Sequence, residues 1–226
     1  MLFDDELVWQ ALKVTTLYCA GLLLNLPLRG VYAYRTIYYL PSVISGVPVA
    51  LLWMWILNPE FGVVNNLLRM VGIRGPQWLF STEWVIPAFI LMSLWEIGRP
   101  MIIYLAGLQS IPHELYEAAE IDGAGLLARF WHVTVPMVSP VNLFNVVMSV
   151  IASFQTFTTA FVMTNGGPAN ASLFYVLYLY NNAFKWFKMG YASALAWLLF
   201  FITLGLTLLI LRSSAVWVYY EGKVRG

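Results

Sequence analysis

An all-α membrane protein, a polytopic helical bundle, is the fold class this sequence predicts, and three observations predict it. Of its 226 residues 61% are hydrophobic and only 10% charged, against about 25% charged in soluble domains. Apolar runs of membrane length recur along it, and a helix needs about 20 such residues to cross roughly 30 Å of hydrocarbon. Its 10 Trp, 13 Tyr and 14 Phe suit aromatic belts at the two interfaces. A net charge of +1 points away from nucleic acid. The single Cys19 rules out an intrachain disulfide and a thiolate metal cluster. The acidic start, MLFDDELVW, lacks the basic region of a cleavable signal peptide.

In chain order, residues 1–13 are polar and mildly amphipathic. Val14–Leu28 is a short apolar run, followed closely by Arg29 and Arg35. Four full spans follow: Ile37–Leu57, Trp84–Leu108, Val135–Met163 and Tyr191–Leu211. The first holds Pro41 and Pro48, which membrane helices tolerate, with Trp53 and Trp55 as an expected belt near its end. An amphipathic turn around Val63–Val71 suits the membrane surface. The second span carries Glu96 and Arg99 on one face, either neutralising each other or lining a path. Along the third, Asn142, Asn145, Ser149 and Ser153 form a stripe, either interhelical glue or a polar lining. Gln155 lies close to Phe154 and Phe157, and rings beside an amide suit a sugar. Trp95, Glu96, Arg99, Asn145 and Gln155 are the candidate pathway residues. Thr164–Pro168 reads as a turn, and residues 172–189 as an aromatic amphipathic stretch with Lys185 and Lys188.

Between the second and third spans lies Ile111–Pro140, a polar island with four of the 11 acidic residues. Pro112 suits a helix start, and Gly123 and Gly125 break the helix. Ala118, Ala119, Ile121, Leu126 and Leu127 can form an apolar stripe beside Glu117 and Glu120. Two short helices around a glycine turn, offering a docking face in water, are expected. With the island in the cytoplasm, alternation places Arg29, Arg35, Arg129, Arg212, Lys223 and Arg225 inside. Lys13, Arg69, Arg74, Lys185 and Lys188 then fall outside, a slight positive-inside bias.

Enzyme chemistry has little to work with. No phosphate-binding Gly-x-x-x-x-Gly-Lys-Ser/Thr occurs, and His113-Glu114 lacks the second His of a zinc site. The other histidine, His132, is distant in sequence, and no nucleophile elbow is present.

The island resembles the EAA loop of permease subunits of binding-protein-dependent ABC importers. The matching residues are Glu117-Ala118-Ala119, Asp122-Gly123-Ala124, Phe130 and Val133-Thr134-Val135-Pro136, with Val135 where Leu is usual. Leu28-Arg29-Gly30, Tyr39-Leu40-Pro41, Asn58-Pro59, Leu105-Ala106-Gly107-Leu108-Gln109 and Met163-Thr164-Asn165-Gly166-Gly167-Pro168 are similar to the sugar-transporting, maltose-type branch. The resemblance implies a bundle of the type I ABC importer permease kind, one transmembrane domain over 1–226 with a cytoplasmic coupling loop at 111–136. It implies a prokaryotic plasma (inner) membrane location and a cytoplasmic ABC ATPase dimer as partner. A second permease subunit and an extracytoplasmic sugar-binding protein complete the set, with ATP bound by the ATPase and no cofactor here. Glu117, Ala118, Ala119, Asp122, Gly123, Ala124 and Pro136 are the implied coupling residues, Glu117 as anionic anchor and Gly123 as turn. Against the six spans usual in the branch, the sequence reads as lacking the first span and part of the second. The alternative is therefore a truncated, non-transporting remnant or assembly partner.

Overall fold

The structure, a computed structural model, describes residues 31–44 and 46–219, and helix is its regular structure throughout. The short run Val14–Leu28, Cys19, Arg29 and the basic C-terminus lie outside the described residues. The helices are α1 (Val31–Val43), α2 (Val47–Ile56), α3 (Val63–Met70), α4 (Val85–Ser93) and α5 (Gly98–Gln109). They continue as α6 (His113–Ile121), α7 (Leu126–Arg129), α8 (Val135–Phe154), α9 (Thr158–Met163), α10 (Tyr175–Tyr180) and α11 (Met189–Trp217).

Of the four expected spans the structure keeps two as long helices and breaks the other two. Leu126–Met163 and Met189–Trp217 are long and apolar enough to cross a membrane. At 1.5 Å per residue, the 29 residues of α11 reach about 44 Å. Trp84–Leu108 is helical but interrupted by a 3-10 turn, Leu94–Ile97, between α4 and α5. Pro100 supplies a reason: it cannot donate to the Glu96 carbonyl and its ring crowds that group. Ile37–Leu57 is two helices rather than one. Gly46 sits at φ 77° between α1 and α2, a left-handed conformation that ends the helical path. Pro48 then occupies the first turn of α2, where no amide donor is needed.

Packing divides the described residues into two units, one of residues 31–39, 97–150 and 205–219, the other of 40–96 and 151–204. In the first, Tyr104, Leu108, Ile111 and Val138 form a core joined by Tyr116, Val133, Met137 and Val141. Here α5 meets α8 closely, because a Cβ on Gly107 would lie 2.5 Å from Val141 Cγ2. Small residues allow such approach where lipid offers helices no hydrophobic drive to associate. Two prolines shape the start of α8. Pro136 cannot donate to His132, and the chain widens into a π turn over Phe130–Thr134. Pro140 leaves the Pro136 carbonyl without its helical donor; Ser139 Oγ donates to that oxygen at 2.6 Å. Ser139 Oγ also accepts from the Tyr219 amide at 2.8 Å, tying down the end of α11.

In the second unit, Val49, Ala50, Trp53 and Leu57 of α2 and its C-cap pack with Ala88, Met92, Leu79 and Met163. Trp55 is exposed, as a belt residue should be, whereas Trp53 is 7% exposed and belongs to the core. The loop between α2 and α4 is organised on Asn65, which is 1% exposed. Its amide donates to the Pro59 and Pro76 carbonyls and its Oδ1 accepts from Trp78 Nε1 at 2.8 Å. The amphipathic turn expected near Val63 is α3, with Leu67, Met70, Val71 and Ile73 exposed.

Candidate functional site: the polar loop between two apolar helices

The island folds as two short helices on a glycine turn. Pro112 enters in an extended conformation (φ −58°, ψ 133°) and caps α6. The exit is a complete Schellman motif: Gly123 sits at φ 77°, its amide donates to Glu120 at 3.0 Å, and the Ala124 amide donates to Ala119 at 2.9 Å. The Asp122 amide bonds Ala118 at 3.0 Å. Ala118 and Ala119 of the EAA-type run thus supply two of the three carbonyls that close the turn. Gly125 (φ −68°, ψ 170°) then starts α7, whose Arg129 amide donates to it at 3.0 Å.

The outer surface of this elbow is apolar. Ile121 is 86% exposed, Leu126 80% and Leu127 77%, with Trp131 also exposed. Glu117 and Ala118 are exposed, while Ala119 and Ala124 are half-buried. Glu117 pairs with His113 at 3.3 Å on the solvent side. Arg129 Nη1 bonds Glu120 Oε2 at 3.2 Å, holding α7 against α6. Pro136 is half-buried at the start of α8.

The inner surface is fastened to the membrane helices. Tyr116 OH lies 2.9 Å from Thr134 Oγ1, a buried threonine at the foot of α8. The Tyr116 ring also packs on the Tyr104, Leu108, Ile111 and Val138 core. A load on the exposed face of α6 therefore reaches α5 and α8 through one close-packed cluster. Sequence reasoning found the turn and the stripe but missed this brace, since Tyr116 and Thr134 are 18 positions apart.

The pathway candidates are divided between the two units. Trp95 is half-buried, edge-to-face with Trp53 at 5.8 Å, and Glu96 and Gln155 are exposed; these belong to the second unit. Asn145 belongs to the first, 3% exposed, and its amide donates to the Val141 carbonyl of its own helix at 3.1 Å. Arg99 lies in the first turn of α5. No cluster of His, Cys, Asp or Glu fit for a metal occurs among the described residues.

Residues 18–224 match the family described as binding-protein-dependent transport system inner membrane component. The chain is 42% identical to the probable ABC transporter permease protein YesP of Bacillus subtilis (strain 168), covering 99% of this chain and 77% of that protein. It is 32% identical to the sulfoquinovosyl glycerol transport system permease protein SmoG of Agrobacterium fabrum, over 93% of this chain and 73% of the relative. Among solved structures it resembles a bacterial alginate ABC transporter in complex with an alginate pentasaccharide-bound periplasmic protein. The TM-score is 0.79 at 28% identity, over 94% of this chain and 80% of that one.

Proposed function

The chain belongs to the binding-protein-dependent transport system inner membrane components, and on that premise we propose how its parts divide the work. It is the membrane-spanning permease subunit of an ABC sugar importer in the prokaryotic plasma (inner) membrane. The 111–136 loop is its contact with a separate cytoplasmic ATPase dimer, which binds and hydrolyses ATP. This chain itself takes no cofactor and catalyses no bond change. A second permease, identical or homologous, completes the pathway, and an extracytoplasmic binding protein delivers a mono- or oligosaccharide.

One observation carries the coupling assignment. An apolar ridge of Ile121, Leu126 and Leu127 stands exposed on a polar loop, and the same loop is braced from within by Tyr116 and Thr134. Exposed apolar side chains on a rigid elbow fit a cleft in a soluble partner. Glu117, at the rim of the ridge, supplies the anionic contact, and Ala118 and Ala119 let the partner approach. ATP-driven closure of the ATPase pair then moves α6, and the core around Tyr104 and Val138 passes that movement to α5 and α8. Trp95, Glu96, Arg99, Asn145 and Gln155 remain the proposed pathway residues.

Glu117→Arg tests this reading. ATP-coupled sugar uptake in proteoliposomes is expected to disappear while membrane insertion is retained. If ATPase co-purification and uptake both survive, Glu117 is not the anchor.

A further inference from the structure

The second unit holds a cavity of about 300 Å³ lined by Phe161, Asn165, Tyr180, Asn181, Phe184 and Lys185. We propose that this cavity is a binding subsite for an acidic sugar ring, separate from the pathway residues named above. Its aromatic wall is built, not incidental. Phe161 and Tyr180 meet edge-to-face at 5.4 Å, and Phe184 joins Tyr180 at 5.1 Å. Phe157 stacks behind Phe161 at 5.4 Å and fixes its ring. Phe161 and Phe184 are nevertheless exposed, so ring surface faces the opening. The C–H face of a pyranose can lie against an exposed aromatic ring of such a wall, burying apolar surface.

The rest of the lining is polar. Asn165 is held at φ 49°, a left-handed conformation uncommon outside glycine, by a turn in which its amide donates to Ala160 at 2.8 Å. Asn181 is 7% exposed and opens the π-helical turn Asn181–Lys185. The Trp186 amide reaches back five residues to the Asn181 carbonyl at 2.9 Å, the widened geometry that recurs at functional sites. Asn182 gives its side-chain amide to the Tyr178 carbonyl. The Asn181 backbone amide donates to Leu177, whereas its side-chain amide makes no hydrogen bond among the described residues, and Asn181 lines the cavity. Two amides offer donors and acceptors to sugar hydroxyls. Lys185 stands exposed at the rim, without an acidic partner among the described residues, and sets the preference for a carboxylate or sulfonate on the ring.

The inference rests on the permease reading only for the side of the membrane. With the 111–136 loop cytoplasmic, alternation across the membrane-crossing part of Leu126–Met163 that follows it puts residues 164–188 outside, where an arriving saccharide is first met.

The full chain in lipid nanodiscs, without binding protein, is tested by saturation-transfer NMR against methyl glucuronide and methyl glucoside. Both are expected to bind, the glucuronide more tightly by about two- to fivefold, the range of an exposed ion pair. Lys185→Met, a change at the exposed rim, should erase that difference. Phe161→Leu keeps the apolar bulk and removes the stacking face, weakening both glycosides about two- to tenfold. Trp197→Leu, outside the cavity, should change neither. Absence of saturation transfer, equal affinity for the two glycosides, or indifference to both cavity substitutions overturns the proposal. So does loss of the glycoside signal on adding sugar-free binding protein together with unchanged affinity in Phe161→Leu, which marks the surface as a protein contact. Intact ATP-driven uptake with no glycoside binding would refute this site and leave the permease reading standing.

Discussion

Replacing Gly123 separates backbone conformation from every other property of the loop. Gly123 has φ 77°, and a Cβ placed on it would meet nothing within 4 Å. The cost of a side chain is therefore conformational rather than steric. Holding an ordinary residue in the left-handed region costs roughly 1–2 kcal/mol, and that corresponds to about a 5- to 30-fold loss of the closed turn. Asn tolerates the region better than Ala, and Val worst of all. The expected order of ATP-coupled uptake is Gly, Asn, Ala, Val. The neighbouring Gly125 is an internal control: it also meets nothing, but at φ −68°, so Gly125→Ala carries only an N-cap cost and should be less damaging than Gly123→Ala. Uptake and ATPase co-purification, measured across the series at equal membrane levels, decide the matter. If Gly123→Ala and Gly123→Val match wild type, or if Asn is as damaging as Val, the Schellman turn is not what presents α6 to the partner.

Three further sets of substitutions probe the path from the loop inward. Changing Ile121, Leu126 and Leu127 to Ser should leave the chain folded, because these side chains are exposed; ATPase affinity in a pull-down titration should fall by about 1.5–3 kcal/mol for each residue that is buried in the contact. Tyr116→Phe removes the hydrogen bond to Thr134, worth about 0.5–1.5 kcal/mol. It should preserve ATPase binding while lowering sugar moved per ATP hydrolysed; an unchanged ratio rejects the brace. Gly107→Ala drives a methyl into Val141 and should reduce thermal stability in detergent by about 1–3 kcal/mol. Val141→Ala in the same chain should recover most of the loss, and failure of that rescue would place the strain elsewhere.

What the sequence disclosed depended on the range of the interaction. The helix start near Pro112 and the breaks at Gly123 and Gly125 are set by residues a few positions apart, and each was legible, though Pro112 and Gly125 turn out to cap helices rather than begin or end them. The two long spans, Leu126–Met163 and Met189–Trp217, were legible too, since lipid demands apolar composition over membrane length. The break at Gly46 was not, because apolar residues run on through it and only the φ of 77° reveals the helix end. Trp53 was taken for a belt residue beside Trp55, yet it packs with Met92 and Met163 in the core. Spacing along one helix cannot say which of two neighbouring rings turns inward. Spacing places Asn145 on a polar stripe and does not show that its amide donates to the Val141 carbonyl of its own helix. The cluster of Phe161, Tyr180 and Asn181 escaped notice for another reason: it joins two segments separated by a turn.

The central claim is that the exposed ridge of the 111–136 loop seats a cytoplasmic ATPase. A photo-crosslinking amino acid at Leu127, which is 77% exposed, tests this in intact membranes. The account predicts a single crosslinked product containing the ATPase, lost in the Glu117→Arg background. Crosslinks to the extracytoplasmic binding protein, or to lipid alone with the ATPase present and transport active, would contradict it.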